Sequence, residues 1–551
     1  MSPLWWLLIP GVPLMALLLV WRCPRDAGGW LWLSCLPAVL FSLWPPQALA
    51  IPALWPGAEW ALDDQLGRAW LGFTALLWAC STRFAVADLK DDNRRQRFWI
   101  FWLLSLTGNL LLVIAQDAGS FYVGFTLMSL SAYGLVVHLR GPAPRQAGRL
   151  YLQLAVLGEM LLYAGILLRI HEAGGALDLS AWNTAPTSPL TATLLLVGFG
   201  IKAGFWPLHV WLPLAHPAAP AAASAVLSGA MLKAGILGLW RFLPTEDPLL
   251  QGWATALLAL GAFSAFFGVL LGLLQTRTKS VLAYSSVSQM GYLLVILALA
   301  WKQPEYRTAA ATLLAIYGVH HGLAKGALFM GAGLSAHNRL GPVHWLLMIV
   351  PALALAGLPL TSGAAVKALL KDGVDASAVA DWMPLLTAGS LGTTLLVLRA
   401  LWLMRVSQRQ SESLPAAPAG QVIPWALLCL MPVTLPWLWP PLRQAMLDSL
   451  PLYAIWASLW PVLAAAAVAA FVMKMDWKIP PALTHLPNPA LIASLRLKRL
   501  LQRPPLPRTE PHVDSERWRR YERQWNRLWQ PGTVALSAWI IGLLLMLGWF
   551  G

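Results

Sequence analysis

Apolar segments of about 20 residues recur along nearly the whole of this 551-residue chain. Each is long enough to cross about 30 Å of hydrocarbon as a helix, because a helix rises about 1.5 Å per residue. Only 11% of the residues are charged, whereas soluble domains carry about 25%. The segments lack the alternation of apolar and polar residues that is typical of strands. The sequence therefore predicts an all-α, polytopic membrane protein, since helices satisfy their own backbone groups in lipid.

The apolar pattern predicts about 16 transmembrane helices. Their approximate bounds are 4–21, 30–48, 66–87, 97–115, 119–139, 149–169, 189–209, 220–243, 252–273, 280–300, 308–335, 344–371, 382–404, 422–442, 452–473 and 533–550. Basic residues follow the first, third, fifth, ninth and thirteenth spans, whereas no Lys or Arg follows the second and fourth. Because Lys and Arg accumulate in cytoplasmic loops, this pattern predicts that both termini lie on the periplasmic side.

The formal net charge of +15 comes from basic residues in loops between apolar segments. This distribution favours topology signals and contacts with anionic lipid headgroups over binding of nucleic acid. The cysteines stand singly, at Cys23, Cys35, Cys80 and Cys429. Their spacing matches no zinc site, iron–sulfur site or disulfide framework. We therefore expect no cofactor, metal or redox centre in this chain.

Residues 474–532 interrupt the apolar pattern. They are rich in proline at first and then basic and partly amphipathic, as in SERWRRYERQWNRLW. Such a segment is typical of a cytoplasmic connector that lies on the lipid headgroups. Alternatively, it is a strap that docks against a neighbouring subunit. A final apolar anchor, 533–551, follows it.

A lysine lies deep inside one apolar span, in the sequence LLLVGFGIKAGFWPLHVWLP (194–213). Lys202 is about 13 residues into this span, and Pro207 follows a turn later, where it removes a backbone hydrogen bond and breaks or kinks a helix. Irregular backbone is tolerated at membrane depth only inside protein or beside water. Placing an ammonium group at that depth costs about 2.5–3.5 kcal/mol. The sequence therefore favours a functional role for Lys202 over a lysine whose side chain simply reaches the membrane interface.

Three further ionisable residues lie inside apolar spans. Lys233 follows a run of small residues in ASAVLSGAMLKAG, and Lys367 follows GLPLTSGAAV, which is a poor helix former. Two interrupted helices, each with a lysine beside the break, predict two inverted repeats. Removal from water and a second nearby cation both favour the neutral form of an amine, as a proton relay needs. Glu159 is the one acid well inside a span, and it would modulate a facing lysine.

The span AIYGVHHGLAKGALFMGAG contains two histidines and a lysine. His321 and Lys325 are four residues apart and therefore share a helix face, and His320 is adjacent to His321 in the sequence. Histidine accepts and releases protons near neutral pH, so we expect these residues to extend the proton pathway. His209 and His216 lie beside the first break, where modulating and purely structural roles are equally supported.

Several segments together resemble a known family of antiporter-like, proton-translocating membrane subunits. These subunits occur in respiratory complex I, in Mrp-type cation/proton antiporters and in energy-converting hydrogenases. The segments are KAGFWPLHVWLP, AHPAAPAAASAVLSGAMLKAGILGLWRF, QTRTKSVLAYSSVSQMGY, HGLAKGALFMGAG and GLPLTSGAAVK. The resemblance covers roughly residues 60–440 and is closest to the hydrogenase and formate-hydrogenlyase branch.

The resemblance implies a role for each buried lysine. Lys202 would be the central lysine and Lys233 the relay lysine, while His321 and Lys325 would link them to Lys367 at the exit. It also implies other membrane and peripheral subunits as partners, protons or Na⁺ as the translocated ion, and a bacterial inner-membrane location.

Other matched positions are structural or depart from the family pattern. Lys279 and Tyr284 match positions with a structural or loop-capping role. Family members usually carry a glutamate in the fifth span, in a pattern like WELMSLSSY, whereas FTLMSLSAY places Thr126 there. Glu159, on the next span, is the candidate substitute for this acid.

Three functions remain open from the sequence. The first is a proton-translocating subunit whose energy comes from a partner, because the chain has no nucleotide loop or redox site of its own. The second is a cation/proton antiporter or an inorganic-carbon-uptake subunit. The third is a structural membrane subunit that does not conduct, for which Thr126 is the best support.

The expected division of the chain follows these features. The segments are 1–115 (N-terminal helices), 116–245 (first antiporter-like repeat), 246–405 (second repeat), 406–473 (C-terminal core helices), 474–532 (basic connector) and 533–551 (final anchor).

Overall fold

The structure is a computed structural model that describes residues 2–22, 27–375, 380–410 and 413–475. These residues belong to one unit, Met1–Lys478. A second unit, Ile479–Gly551, lies outside the described residues. The predicted final anchor and nearly all of the predicted connector therefore lie outside them as well.

Helices form almost all of the regular structure. In the first half of the chain they are α1 (Leu8–Arg22), α2 (Leu36–Leu43), α3 (Gln65–Asp88), α4 (Arg95–Ile114), α5 (Ala118–Val136), α6 (Pro142–Glu172), α7 (Leu179–Trp182), α8 (Pro189–Ala203), α9 (Leu212–Ala218), α10 (Ala221–Val226), α11 (Lys233–Phe242) and α12 (Pro248–Leu273). In the second half they are α13 (Thr278–Lys302), α14 (Arg307–His337), α15 (Pro342–Ala356), α16 (Ser362–Asp375), α17 (Met383–Arg409), α18 (Ala419–Leu438), α19 (Pro440–Asp448) and α20 (Leu452–Lys474).

Shorter elements join these helices. The 3-10 segments are Pro3–Leu7, Ala27–Cys35, Pro304–Tyr306 and Ala380–Trp382. A π-helical turn, Leu227–Met231, lies between α10 and α11. Strands β1 (Leu49–Ala50) and β2 (Glu59–Trp60) pair antiparallel in the loop before α3.

Eleven helices among the described residues are long and apolar enough to cross a membrane. Three shorter apolar helical segments accompany them: Gly28–Leu43, Pro189–Ala203 and Pro342–Ala356. The 31-residue helix α14 is not one of the eleven, because its histidines and its central lysine lower its hydropathy. The prediction of an all-α, polytopic membrane protein is therefore confirmed, whereas the number of 16 spans is not.

Acidic and hydroxyl side chains fix where several helices begin. Asp117 accepts a hydrogen bond from the backbone N–H of Ser120 at 2.7 Å at the start of α5. At the start of α8, Ser188 accepts from the N–H of Thr191 at 3.2 Å. The first N–H groups of a helix have no partner inside the helix, so such caps stabilise an end by about 1 kcal/mol.

Two predicted spans are interrupted at glycines with left-handed backbone. The span predicted at 189–209 is α-helical only over α8, which is followed directly by Gly204 with φ of 73°. The span predicted at 344–371 consists of two helices, α15 and α16. Gly357, with φ of 82°, directly follows α15. Glycine adopts this conformation without the penalty that a Cβ atom brings. Both breaks therefore follow from an Ala-Gly pair that precedes a proline.

The two most deeply buried spans of the bundle, Ala221–Phe242 and α13, lie between the two breaks. All residues are buried in an apolar 18-residue stretch of Ala221–Phe242, and 94% are buried in such a stretch of α13. The corresponding shares are only 28% in Pro3–Arg22 and 22% in Leu452–Val472. Charged side chains on the inner helices are therefore surrounded by protein and not by lipid.

Candidate proton pathway

Lys202 lies in the last turn of α8, directly before the first break, and is 4% exposed. Its ammonium donates hydrogen bonds to the hydroxyl oxygens of Ser129 and Tyr151, both at 3.1 Å. It also lies 5.5 Å from the centre of the Tyr151 ring and 6.0 Å from that of Phe125. Hydroxyl groups and aromatic faces stabilise an ammonium without a fixed counter-charge, so this site can hold the lysine in either protonation state.

Glu159 faces the same small cavity as Lys202. The cavity has a volume of about 10 Å³, and its wall includes Ser129 and Tyr151 as well as the lysine and the carboxylate. Such a volume accommodates about one water molecule. The carboxylate and the ammonium are more than 4.0 Å apart, since they form no ion pair, but they interact electrostatically. One water molecule can therefore bridge the two charges.

Thr126 holds the carboxylate of Glu159 in place. Its Oγ1 donates a hydrogen bond to Oε2 of Glu159 at 2.6 Å, and Oε1 has no protein partner among the described residues. The side chain that replaces the acid expected on α5 thus positions an acid on α6. The free Oε1 is the carboxylate oxygen that remains available to a proton or to water.

The π-helical turn before α11 places Lys233. In this turn the N–H of Leu232 reaches the carbonyl of Leu227, five residues back, at 3.1 Å. The shift leaves carbonyl groups without their usual helical donors. Lys233, which is 0% exposed, donates to the carbonyls of Ser228 at 3.2 Å and Gly229 at 2.6 Å. These carbonyl dipoles stabilise an ammonium far from solvent.

Helix α14 carries the next three groups. Nδ1 of His320 lies 2.7 Å from Oγ of Ser362, and the ammonium of Lys325 donates to the carbonyl of Leu282 at 2.8 Å. His321 is 0% exposed, and neither of its ring nitrogens has a protein partner among the described residues. It interacts electrostatically with Lys233, Lys325 and His320, so it lies close to all three of these groups.

Lys367 lies on α16, after the second break, and is half-buried. Its ammonium donates to the carbonyl of Ala356, the last residue of α15, and to the hydroxyl of Ser390. It lines a cavity of about 50 Å³, together with His320, Gln289 and Tyr317. This volume holds more than one water molecule. His320 and Lys367 also interact electrostatically, which connects α14 to the second break.

The remaining predicted residues contact aromatic rings or backbone carbonyls. The ring of His209 packs 5.0 Å from that of Phe267 and 6.1 Å from that of Tyr284. Lys279 donates to the carbonyl of Ala219, at the end of α9, at 2.7 Å. His216 is 0% exposed and stacks on Phe329, with 4.5 Å between ring centres.

Sequence reasoning missed the neutral partners of the charged groups. Ser129 and Tyr151 bind Lys202, Ser362 binds His320, and Ser390 binds Lys367. Each is a hydroxyl inside or beside an apolar segment, which is the signal that identifies them. Sequence spacing could not assign them, because each partner lies on a different helix.

Comparison with known proteins shows the family to which this chain belongs. Residues 115–395, just over half of the chain, match the family model "NADH:quinone oxidoreductase/Mrp antiporter, TM". The chain is 36% identical over 245 residues to Hydrogenase-4 component B of Escherichia coli (strain K12), a match that spans 42% of this chain and 36% of that protein. The match thus spans little more than a third of the length of this curated relative.

A solved structure shares the fold. A chain of the Mrp complex from Dietzia sp. DQ12-45-1b superposes with a TM-score of 0.71 and 22% identity. The superposition covers 92% of this chain and 60% of the other. With the family model matching just over half of the sequence, the chain belongs to the NADH:quinone oxidoreductase/Mrp antiporter family of transmembrane proteins.

Proposed function

We propose that this chain is the proton-translocating subunit of a multi-subunit complex in a bacterial inner membrane. The observation that carries the proposal is the row of ammonium and imidazole groups that leads from Lys233 along α14 to Lys367. Lys233, His321 and Lys325 are 0% exposed, and none of the three forms an ion pair with a carboxylate in the part of the chain that the structure describes. Buried ionisable groups within a membrane are costly and mark ion or proton pathways.

The order of groups defines the path. Protons enter from one side of the membrane to Lys202 and Glu159, pass to Lys233 on the adjoining helix, and continue through His321 and Lys325. His320 then delivers them to Lys367, and the larger cavity beside Lys367 leads outward. Hydroxyl groups and water connect the ionisable side chains, as expected for transfer over distances longer than one hydrogen bond.

The two breaks divide the path into two antiporter-like repeats, 116–245 and 246–405. Each repeat contributes one lysine beside an interrupted helix, a pattern typical of transporters with inverted repeats. The excess of basic residues in alternate loops supports cytoplasmic loops on that side and periplasmic termini.

Partner subunits supply the energy in this proposal. The similarity to a hydrogenase component and to a chain of the Mrp complex supports assembly into a larger complex of the hydrogenase or NADH:quinone oxidoreductase kind. Conformational changes or charges in a neighbouring subunit would alter the distance between Glu159 and Lys202, since a carboxylate nearby favours the protonated lysine.

The test is proton uptake by membrane vesicles that contain the full chain and its co-purifying subunits. Lys202→Ala is expected to abolish coupled proton uptake, because it removes the ammonium at the start of the path, while the complex still assembles. Lys302→Ala is the matched control, because Lys302 lies at the exposed end of α13 and, among the described residues, donates a hydrogen bond to Thr255 alone. Unchanged uptake in Lys202→Ala would contradict the proposal, and uptake that depends on added Na⁺ would favour cation/proton exchange.

A further inference from the structure

The buried residue His216 lies outside the path described above. His216 is 0% exposed, and neither Nδ1 nor Nε2 has a protein partner in the described part of the chain. A neutral imidazole has one donor and one acceptor nitrogen, and buried polar groups are almost always hydrogen-bonded to protein or water. Stacking on Phe329 orients the ring but satisfies neither nitrogen. Water is therefore the expected partner of both nitrogens.

Two ammonium groups interact with this histidine. The electrostatic interactions of His216 are with Lys279 and with Lys325. Lys279 is half-buried near the start of α13, whereas Lys325 is 0% exposed in the middle of α14. His216 thus connects a lysine near the surface with a lysine of the buried row.

The near-surface lysine belongs to a polar cluster that we call the rim. The rim consists of Asp88, Lys279, His337 and Gln421. Gln421 donates to the carboxylate of Asp88 at 3.1 Å, and Asp88 interacts electrostatically with Lys279 and His337. His337 is exposed, and Asp88 is half-buried.

The rim lies where four helices end or begin. Helix α3 ends at Asp88, α13 begins at Thr278, α14 ends at His337 and α18 begins at Ala419. Ends of several transmembrane helices meet at a membrane surface, where water is available. Lys279 reaches inward from there, because its ammonium bonds to the carbonyl of Ala219, three residues from His216.

We propose that His216 and its bound water form a second proton entrance, which leads from the rim to Lys325. This entrance loads the middle of the row, whereas the change of charge at Lys202 and Glu159 is still required to move the loaded proton on to Lys367. The proposal rests on the proposed proton-translocating function and adds a separate loading site to it. Protons arrive at the carboxylate of Asp88 and the imidazole of His337. They pass through water at His216 to the amine of Lys325, and no covalent bond other than to hydrogen changes.

The experiment measures the initial rate of coupled proton uptake in vesicles that contain the assembled complex. His216→Phe retains the stacking on Phe329 and removes both nitrogens, and its rate is expected to fall about tenfold, as for the loss of a hydrogen bond to an ionised group. Asp88→Asn retains the acceptor for Gln421 and removes the charge, and a similar decrease is expected. His344→Phe is the matched control, because His344 also stacks on an aromatic ring, Trp425, but lies outside the row.

His216→Gln distinguishes a loss of proton transfer from a folding defect. Glutamine keeps one donor and one acceptor for water but does not take up a proton, so the same decrease is expected in a complex that assembles normally. An unchanged rate in His216→Gln or in Asp88→Asn would overturn the second entrance. If Lys202→Ala abolishes uptake in those same vesicles, the proposed function stands without it; if Lys202→Ala has no effect, the function itself fails.

Discussion

The two helix breaks have the same backbone conformation, but the lysines beside them make different contacts. Each break follows an alanine and a left-handed glycine, Gly204 or Gly357. At the first break, the indole N–H of Trp211 donates to the carbonyl of Ile201 at 2.8 Å. The ammonium of Lys202 is therefore not needed to satisfy the broken helix, and it bonds to side-chain hydroxyls instead.

At the second break, the lysine itself satisfies the end of the helix. Lys367 donates to the carbonyl of Ala356, which α15 leaves without a helical donor. One side chain therefore both stabilises the break and lines the larger cavity. In the proposed pathway, the structural role and the proton-transfer role are therefore separate at Lys202 and combined at Lys367.

Replacement of the two lysines by methionine gives the largest expected contrast. Both Lys202→Met and Lys367→Met should abolish proton uptake, because each removes an ammonium from the path. Only Lys367→Met should also destabilise the protein, by about 1–3 kcal/mol, because it leaves a buried carbonyl without a donor. Thermal unfolding in detergent, measured beside uptake in vesicles, separates the two effects. Equal losses of stability in the two variants would contradict the division of roles.

Substitutions at the acid that faces Lys202 test the first site alone. Glu159→Gln should lower uptake by about tenfold or more, because the carboxylate that modulates Lys202 becomes neutral. Thr126→Val should lower it only a few-fold, since it removes one hydrogen bond worth about 1 kcal/mol and leaves the charge. Uptake rates of the two variants check this order. A larger effect of Thr126→Val than of Glu159→Gln would show that the threonine, and not the carboxylate, is the essential group.

Alanine at the two glycines gives the smallest expected effects. Each substitution places a Cβ atom in the left-handed region, which costs about 1–2 kcal/mol. At Gly204 the nearest atom to this Cβ is Cδ1 of Leu212 at 3.1 Å, whereas at Gly357 the Cβ would collide with the side chain of Lys367. Gly357→Ala should therefore reduce both stability and uptake, and Gly204→Ala mainly stability. The comparison fails if uptake falls equally in both.

The sequence sufficed for features that depend on local pattern. Apolar length predicted the all-α membrane fold, and Pro207 predicted the first break. It did not suffice for helix bounds within the second broken span, because several residues of GLPLTSGAA disfavour a helix and the pattern does not say which of them ends α15 and which begins α16. The number of spans could not be predicted from the sequence either. Short helices, and long helices that contain charged residues, are not identified by a criterion based on length and hydropathy.

Contacts between helices were the part of the site that the sequence predicted least well. Glu159 was selected as an acid in an apolar span, but its hydrogen bond with Thr126 depends on the packing of α5 against α6. The rim is a similar case, because Asp88 and Gln421 are more than 300 residues apart in the chain. Side-chain chemistry identifies such residues as costly to bury, and only the tertiary structure identifies what offsets the cost.

The π-helical turn Leu227–Met231 has a consequence for how this protein tolerates change in length. A π turn contains one residue more than an α turn, and each residue of an α-helix advances the direction of the side chain by about 100°. Deleting a single residue from the turn would therefore restore a regular helix and point Lys233 away from α14. The alignment of a fully buried amine with its neighbours therefore depends on one inserted amino acid.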